Sequence, residues 1–175
     1  LSFPDDARIV SKAQGYATSD HYWAMVLSGS GDNNLQFRLR TDLGGTSKVT
    51  VPDDPSKDLQ AGVWTHVAVT WERVTHMMRF YKDGEEIYSQ SKAGTKVAVN
   101  PNVRIGVGNQ SLDAIGGPNR PFHGLLDDVR VYSRALSKEE IWGLSHIEPG
   151  PASDINQDGT VDFVDFKFLA DDWLR

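Results

Sequence analysis

The 175-residue sequence predicts an all-β protein, an antiparallel β-sandwich of the jelly-roll type that ends in a short loop and helix. Three observations carry this. Short runs rich in β-branched and aromatic residues recur between turns. An Asp83-Gly84 pair separates two of them, and 16 Gly and 8 Pro punctuate the chain. The acids are uneven, 18 Asp against 6 Glu, and Asp suits turns where Glu suits helices.

The elements follow in order. Tyr22–Leu27 and Leu35–Leu39 are the weaker early strands. Val63–Trp71 is stronger, with Val67, Val69 and Trp71 in phase on one face. Met77–Lys82 and Glu86–Gln90 flank Asp83-Gly84. A two-residue type I′ turn needs positive φ at both central positions, which Asp and Gly tolerate, so a hairpin is expected there. Val103–Val107 is a further strand, and Phe122–Tyr132 another, after the Gly/Pro/Asn-rich stretch 109–121. Ser137-Lys138-Glu139-Glu140 is a capping box, predicting a short helix through Ile141, Trp142 and Leu144.

Charge divides the chain. Residues 154–175 hold six Asp, one Lys and one Arg, a net of −4, leaving −2 of the total −6 for the rest. Between them, Pro149-Gly150-Pro151 cannot continue a helix. The expected organisation is a sandwich over 1–144, a linker over 145–153 and a loop-helix over 154–175. Without a basic stripe no nucleic-acid partner is expected. No apolar run reaches the length of a membrane span, and no membrane partner is expected. The absence of cysteine rules out disulfides, thiolate metal sites and a cysteine nucleophile. Leu1 opens no signal peptide, so the chain is expected to be a processed or excised piece of something longer.

The strongest chemical signal lies in the tail. A hard-cation loop takes oxygen ligands at positions 1, 3, 5, 7, 9 and 12, with Gly at 6 for a sharp turn. Asp154, Asn156, Asp158, the Thr160 carbonyl, Asp162 and Asp165 occupy those positions, and Gly159 is the sixth residue. Four carboxylates this close repel one another unless a divalent cation neutralises them, so Ca2+ is the expected cofactor. Phe163, Phe166, Ala170 and Trp173 then give the following helix one apolar stripe.

Two resemblances follow from these residues. Trp64-Thr65-His66-Val67-Ala68, Phe80-Tyr81-Lys82-Asp83-Gly84, Ile105-Gly106, Phe122-His123-Gly124-Leu125-Leu126-Asp127-Asp128-Val129-Arg130-Val131-Tyr132 and Arg134-Ala135-Leu136-Ser137 occur in that order. The run from about Ile9 to Leu144 resembles a laminin G-like, concanavalin A-like jelly roll of the type found in large secreted bacterial proteins. Members of that group normally begin with further strands that pair into both sheets; this chain is expected to start after them, with those strands supplied by another segment or the fold cut differently. The resemblance implies a secreted or cell-surface location. The tail resembles a single dockerin type I repeat, in which Asp takes the last ligand position. That likeness implies a cohesin-like protein partner, or an intramolecular one, for the apolar stripe.

Weaker signals remain. Asp127 is in phase with Leu125, Val129 and Val131, so it is expected to face inward. The resemblance implies a calcium ligand there, and the alternative is a carboxylate capping backbone N–H groups. A polysaccharide partner would need aromatic platforms beside polar groups, for which Tyr16, His21, Tyr22 and Trp23 are the candidates. Glycoside hydrolysis needs two facing carboxyl groups. The Glu residues belong instead to turns, the helix cap and the linker, so no enzyme is expected. The functional expectation is a non-catalytic carbohydrate-binding or spacer module with a calcium-binding tail, the alternative being a protein-docking or adhesion module.

Overall fold

The computed structural model describes residues 6–28, 33–43, 45–110 and 120–146. The chain divides into two units, Leu1–Ser145 and His146–Arg175. The predicted calcium loop, Asp154 to Asp165, and its helix lie outside the described residues.

The first unit is built from β1 (Ala7–Ala13), β2 (His21–Ser28), β3 (Asn34–Arg40), β4 (Thr46–Thr50), β5 (Val67–Glu72), β6 (Met77–Lys82), β7 (Glu85–Ser91), β8 (Gly106–Val107) and α1 (Lys138–Ser145). Five strands form one antiparallel sheet in the order β4-β3-β2-β1-β8, and three form another in the order β5-β6-β7. Leu27, Leu35 and Val49 from the larger sheet meet Met78 and Phe80 from the smaller one in a single apolar cluster. The sheets therefore stack face to face as a sandwich.

The β6–β7 hairpin forms at the predicted place. Asp83 and Gly84 have φ of 49° and 83°, the two positive values a type I′ turn requires. Gly84 is needed for space as well, because a Cβ there would stand 3.1 Å from the Trp142 Cα. The capping box also forms: the Glu140 N–H donates to Ser137 Oγ (3.2 Å) and the Ser137 N–H donates to Glu140 Oε2 (2.8 Å). These bonds satisfy donors that the first turn of α1 cannot pair internally.

Three expectations are corrected. Strand β5 begins at Val67 rather than Val63, leaving Trp64 67% exposed. Only Gly106–Val107 of the run from Val103 enters a ladder. Residues 123–132 join no sheet, and Leu125 and Val131 stand exposed. Alternating apolar residues make a strand only where a neighbour completes the ladder, and among the described residues no strand pairs with this segment.

Candidate functional site

Strand pairing sorts the larger sheet into two faces. Ile9, Leu27, Leu35 and Leu39 point into the core. The other face follows from the register: Arg8 opposes Val26, Val26 opposes Gln36, and Ala24 opposes Arg38, which opposes Lys48. A face turned away from the core of an antiparallel sheet is ordinarily solvated. Here Arg8, Gln36 and Arg38 are nonetheless buried.

Buried charge must be paired and hydrogen-bonded, and these side chains form one network. Arg8 Nε donates to Gln110 Oε1 (2.6 Å), and Arg8 Nη2 donates to Asp6 Oδ2 (3.0 Å). Arg38 Nη2 donates to Asp6 Oδ1 (2.5 Å), and Arg38 Nε to Gln36 Oε1 (3.3 Å). Two guanidinium groups thus close on one carboxylate. Burial pushes the Asp6 carboxyl up, but the Arg8 and Arg38 guanidiniums together outweigh it, and its pKa ends below the usual carboxylate value. Arg38 is pulled below its ordinary value by burial and by repulsion from Arg8, against the attraction of Asp6.

His21 completes the network. A 3-10 turn at Thr18–Asp20 delivers it to the start of β2, fully buried. Its Nδ1 lies 2.9 Å from the Ala17 carbonyl oxygen, while Nε2 faces Arg38 Nη1 and Gln110 Nε2, each at 3.3 Å. Only the neutral tautomer that carries its proton on Nδ1 serves all three. Burial, and then the Arg38 charge, drive its pKa down from 6.5 to about 4. Beside it, Arg40 lies over the Tyr22 ring, 5.5 Å from the centroid. The Tyr22 hydroxyl donates to Gln14 Oε1 (2.7 Å) and accepts from Asn100 Nδ2 (3.4 Å).

Of the four residues singled out from the sequence for a ligand, His21 and Tyr22 belong to this face, brought to the same side by the register slip opposite Lys12 and Ala13. Tyr16 sits half-buried in the loop whose Gly15 carbonyl accepts from Gln110 Nε2 (3.1 Å). Trp23 turns the other way and packs against the core, because successive strand residues point to opposite faces. Asp6, Arg8, Gln36, Arg38 and Gln110 were missed. The signal for two of them was present in the in-phase series Gln36, Arg38, Arg40, set against Leu35, Phe37 and Leu39.

Asp127 is exposed instead of inward-facing, and its Oδ1 accepts from the Asp128 N–H at 2.8 Å. Without a ladder around it, its phase with Val129 has no structural meaning. No group of three or more His, Asp or Glu placed to hold a metal occurs among the described residues, so Asp127 has no co-ligands there. Among the described Glu residues, Glu85 pairs with Lys138, Glu86 with Arg79 and Glu140 with Arg134. Among the described residues, no helix is long and apolar enough to cross a membrane.

Residues 2–142 match the Laminin_G_3 family, described as the concanavalin A-like lectin/glucanases superfamily. The chain belongs to that family. Among curated proteins, this family member is 29% identical over 150 residues to the rat (Rattus norvegicus) sushi, von Willebrand factor type A, EGF and pentraxin domain-containing protein 1. The aligned region is 79% of this chain and 4% of that protein, so the chain spans only a small part of its relative's length. Among solved structures, the CBM40 of the Ruminococcus gnavus IT-sialidase bound to α2,3-sialyllactose superposes with a TM-score of 0.61 at 16% identity, covering 82% of this chain and 74% of that one. The leech intramolecular trans-sialidase superposes with a TM-score of 0.59 at 19% identity, covering 87% and 22%. At such identities the likeness is one of fold.

Proposed function

We propose that this family member is a non-catalytic carbohydrate-binding module of a secreted, multidomain protein, and that it binds a polysaccharide on the outer face of the five-stranded sheet. One observation carries the reading. On the sheet face turned away from the core, the accessible side chains of Arg40 and Lys48 and the Tyr22 ring are held over a buried, preorganised polar network of Arg38, Gln36, Gln110 and His21. Sugar recognition asks for hydroxyl-bonding groups held in fixed rotamers next to an aromatic surface. The carbohydrate-bound neighbour of the same fold is consistent with this reading. The pairing of Glu85, Glu86 and Glu140 with cations or a helix cap favours binding over hydrolysis.

The test is retention on insoluble polysaccharides and on a glycan array, with R40A and Y22A as site variants. Retention of the wild-type chain that weakens in both variants supports the reading. Retention that neither variant changes overturns the assignment of the face, and release of sugar from any retained polysaccharide overturns the non-catalytic part.

The tail adds a second element. The loop from Asp154 to Asp165 binds Ca2+, on the strength of six ligand positions and Gly159 in register. A protein-docking role through the dockerin-like stripe of Phe163, Phe166, Ala170 and Trp173 is the alternative reading of the module. Pull-down with a cohesin-like domain in calcium, set against loss of that capture in chelator, decides for or against it.

A further inference from the structure

The carbohydrate reading leaves open which glycan, and the charge balance of the face narrows it; this inference rests on that reading. Asp6 is the carboxylate against which both buried guanidiniums close. Its Oδ1 stands 2.6 Å from Arg8 Nη1 and 2.5 Å from Arg38 Nη2. The side chains of Arg8 and Arg38 are 1% and 5% exposed, whereas that of Asp6 is 20% exposed. The carboxylate therefore sits at the solvent lip of a seat whose floor is two guanidiniums.

Among the described residues the charges do not balance. Two positive groups meet one negative one, and His21 beside them is neutral. Arg40 and Lys48 belong to the same face, Lys48 directly opposite Arg38. A protein with a net charge of −6 thus carries a locally positive face, and a surface of one sign of charge concentrates ligands of the other. The guanidinium fork also matches a planar two-oxygen carboxylate better than a point cation would.

We propose that the Arg8–Arg38 pair is a seat for the carboxylate of an acidic glycan, and that Asp6 occupies it as an internal stand-in until the sugar carboxylate displaces it. Ligand class then follows from charge: uronic- or nonulosonic-acid-bearing glycans are bound, and their neutral counterparts are bound weakly.

Matched probes test this. Polygalacturonate and its methyl ester differ in carboxylate charge and one ester methyl group per sugar, and sialyllactose and lactose differ by one acidic sugar. The wild-type chain is expected to bind the charged member of each pair about tenfold more tightly, the scale of one charge-assisted hydrogen bond. D6N removes the competing carboxylate and keeps a residue type that tolerates the positive φ of 64° at this position. It is expected to lower the melting temperature, to bind polygalacturonate several-fold more tightly than wild type, and to be restored in melting temperature by that polymer. R38K, which keeps the charge and loses the fork, is expected to lose most of the preference. Equal binding of charged and neutral members, with D6N without effect, overturns the inference and leaves the carbohydrate reading standing. Binding of dextran sulfate as tightly as polygalacturonate, indifferent to D6N and R38K, overturns it also. Binding of none of the four probes, with other glycans retained, overturns it alone; retention of no glycan at all overturns both.

Discussion

His21 Nε2 lies 3.3 Å from Arg38 Nη1 while His21 Nδ1 faces the Ala17 carbonyl at 2.9 Å. The imidazole is an acceptor toward the arginine and a donor toward the backbone, so a second proton has no acceptor and meets a positive charge.

This makes stability depend on pH. The folded pKa of His21 is about 4 against 6.5 for an unperturbed histidine. Between those values the unfolded chain binds more protons than the folded one, so stability falls as pH drops from about 6.5 to about 4, by roughly 3 kcal/mol from this group. Below the ordinary carboxylate range, protonation of Asp6, whose folded pKa is lowered, removes more. Denaturant midpoints across this range are expected to fall with pH in wild type and to be flatter in H21Q. Identical slopes for the two proteins contradict the assignment.

The hairpin turn has a steric requirement. Gly84 is at φ 83°, and a Cβ there would meet Trp142 Cα at 3.1 Å. G84A is expected to cost about 2 kcal/mol, the scale of a side chain forced into the left-handed region against backbone. A urea midpoint unchanged from wild type would refute this.

The helix cap is reciprocal. Ser137 Oγ accepts the Glu140 N–H, and Glu140 accepts the Ser137 N–H while pairing with Arg134 at 2.6 Å. S137A is expected to destabilise the domain by about 1 kcal/mol, the usual cost of losing an N-cap. Hydrogen exchange of the α1 amides should accelerate before that of β6. No change in the α1 amides argues against the cap.

Calcium is expected to act on the tail. If only the ordered loop binds it, saturation at about a hundredfold over Kd adds about 2.7 kcal/mol to that unit. Isothermal titration should give one site in wild type and none in D158A. Equal uptake by both proteins would defeat the ligand assignment.

Legibility in the sequence followed the locality of the signal. The β6–β7 hairpin and the α1 cap were readable because turn and capping chemistry reside in two to four consecutive residues. Strand β1 was not: its register slips between Arg8 and Val10 and again between Lys12 and Ala13, so the period-two pattern is broken in the strand itself. Residues 123–132 erred the other way, with clean alternation and, among the described residues, no strand paired with them. The network was hidden because Arg8 and Gln110 are 102 residues apart. Its central arginines also occupy positions where alternation predicts ordinary solvated side chains. His21 and Tyr22 were found as polar and aromatic neighbours in the sequence, while Asp6 carries no sequence mark of its role.

The central claim is that ligand meets the chain on the outer face of the five-stranded sheet. Backbone amide shifts recorded while titrating a retained glycan test it most directly. The account predicts that the largest changes fall at Asp6, Arg8, His21, Tyr22, Arg38, Arg40 and Gln110. Changes confined to Lys138, Glu139 and Trp142 on α1, with those seven unmoved, would contradict it.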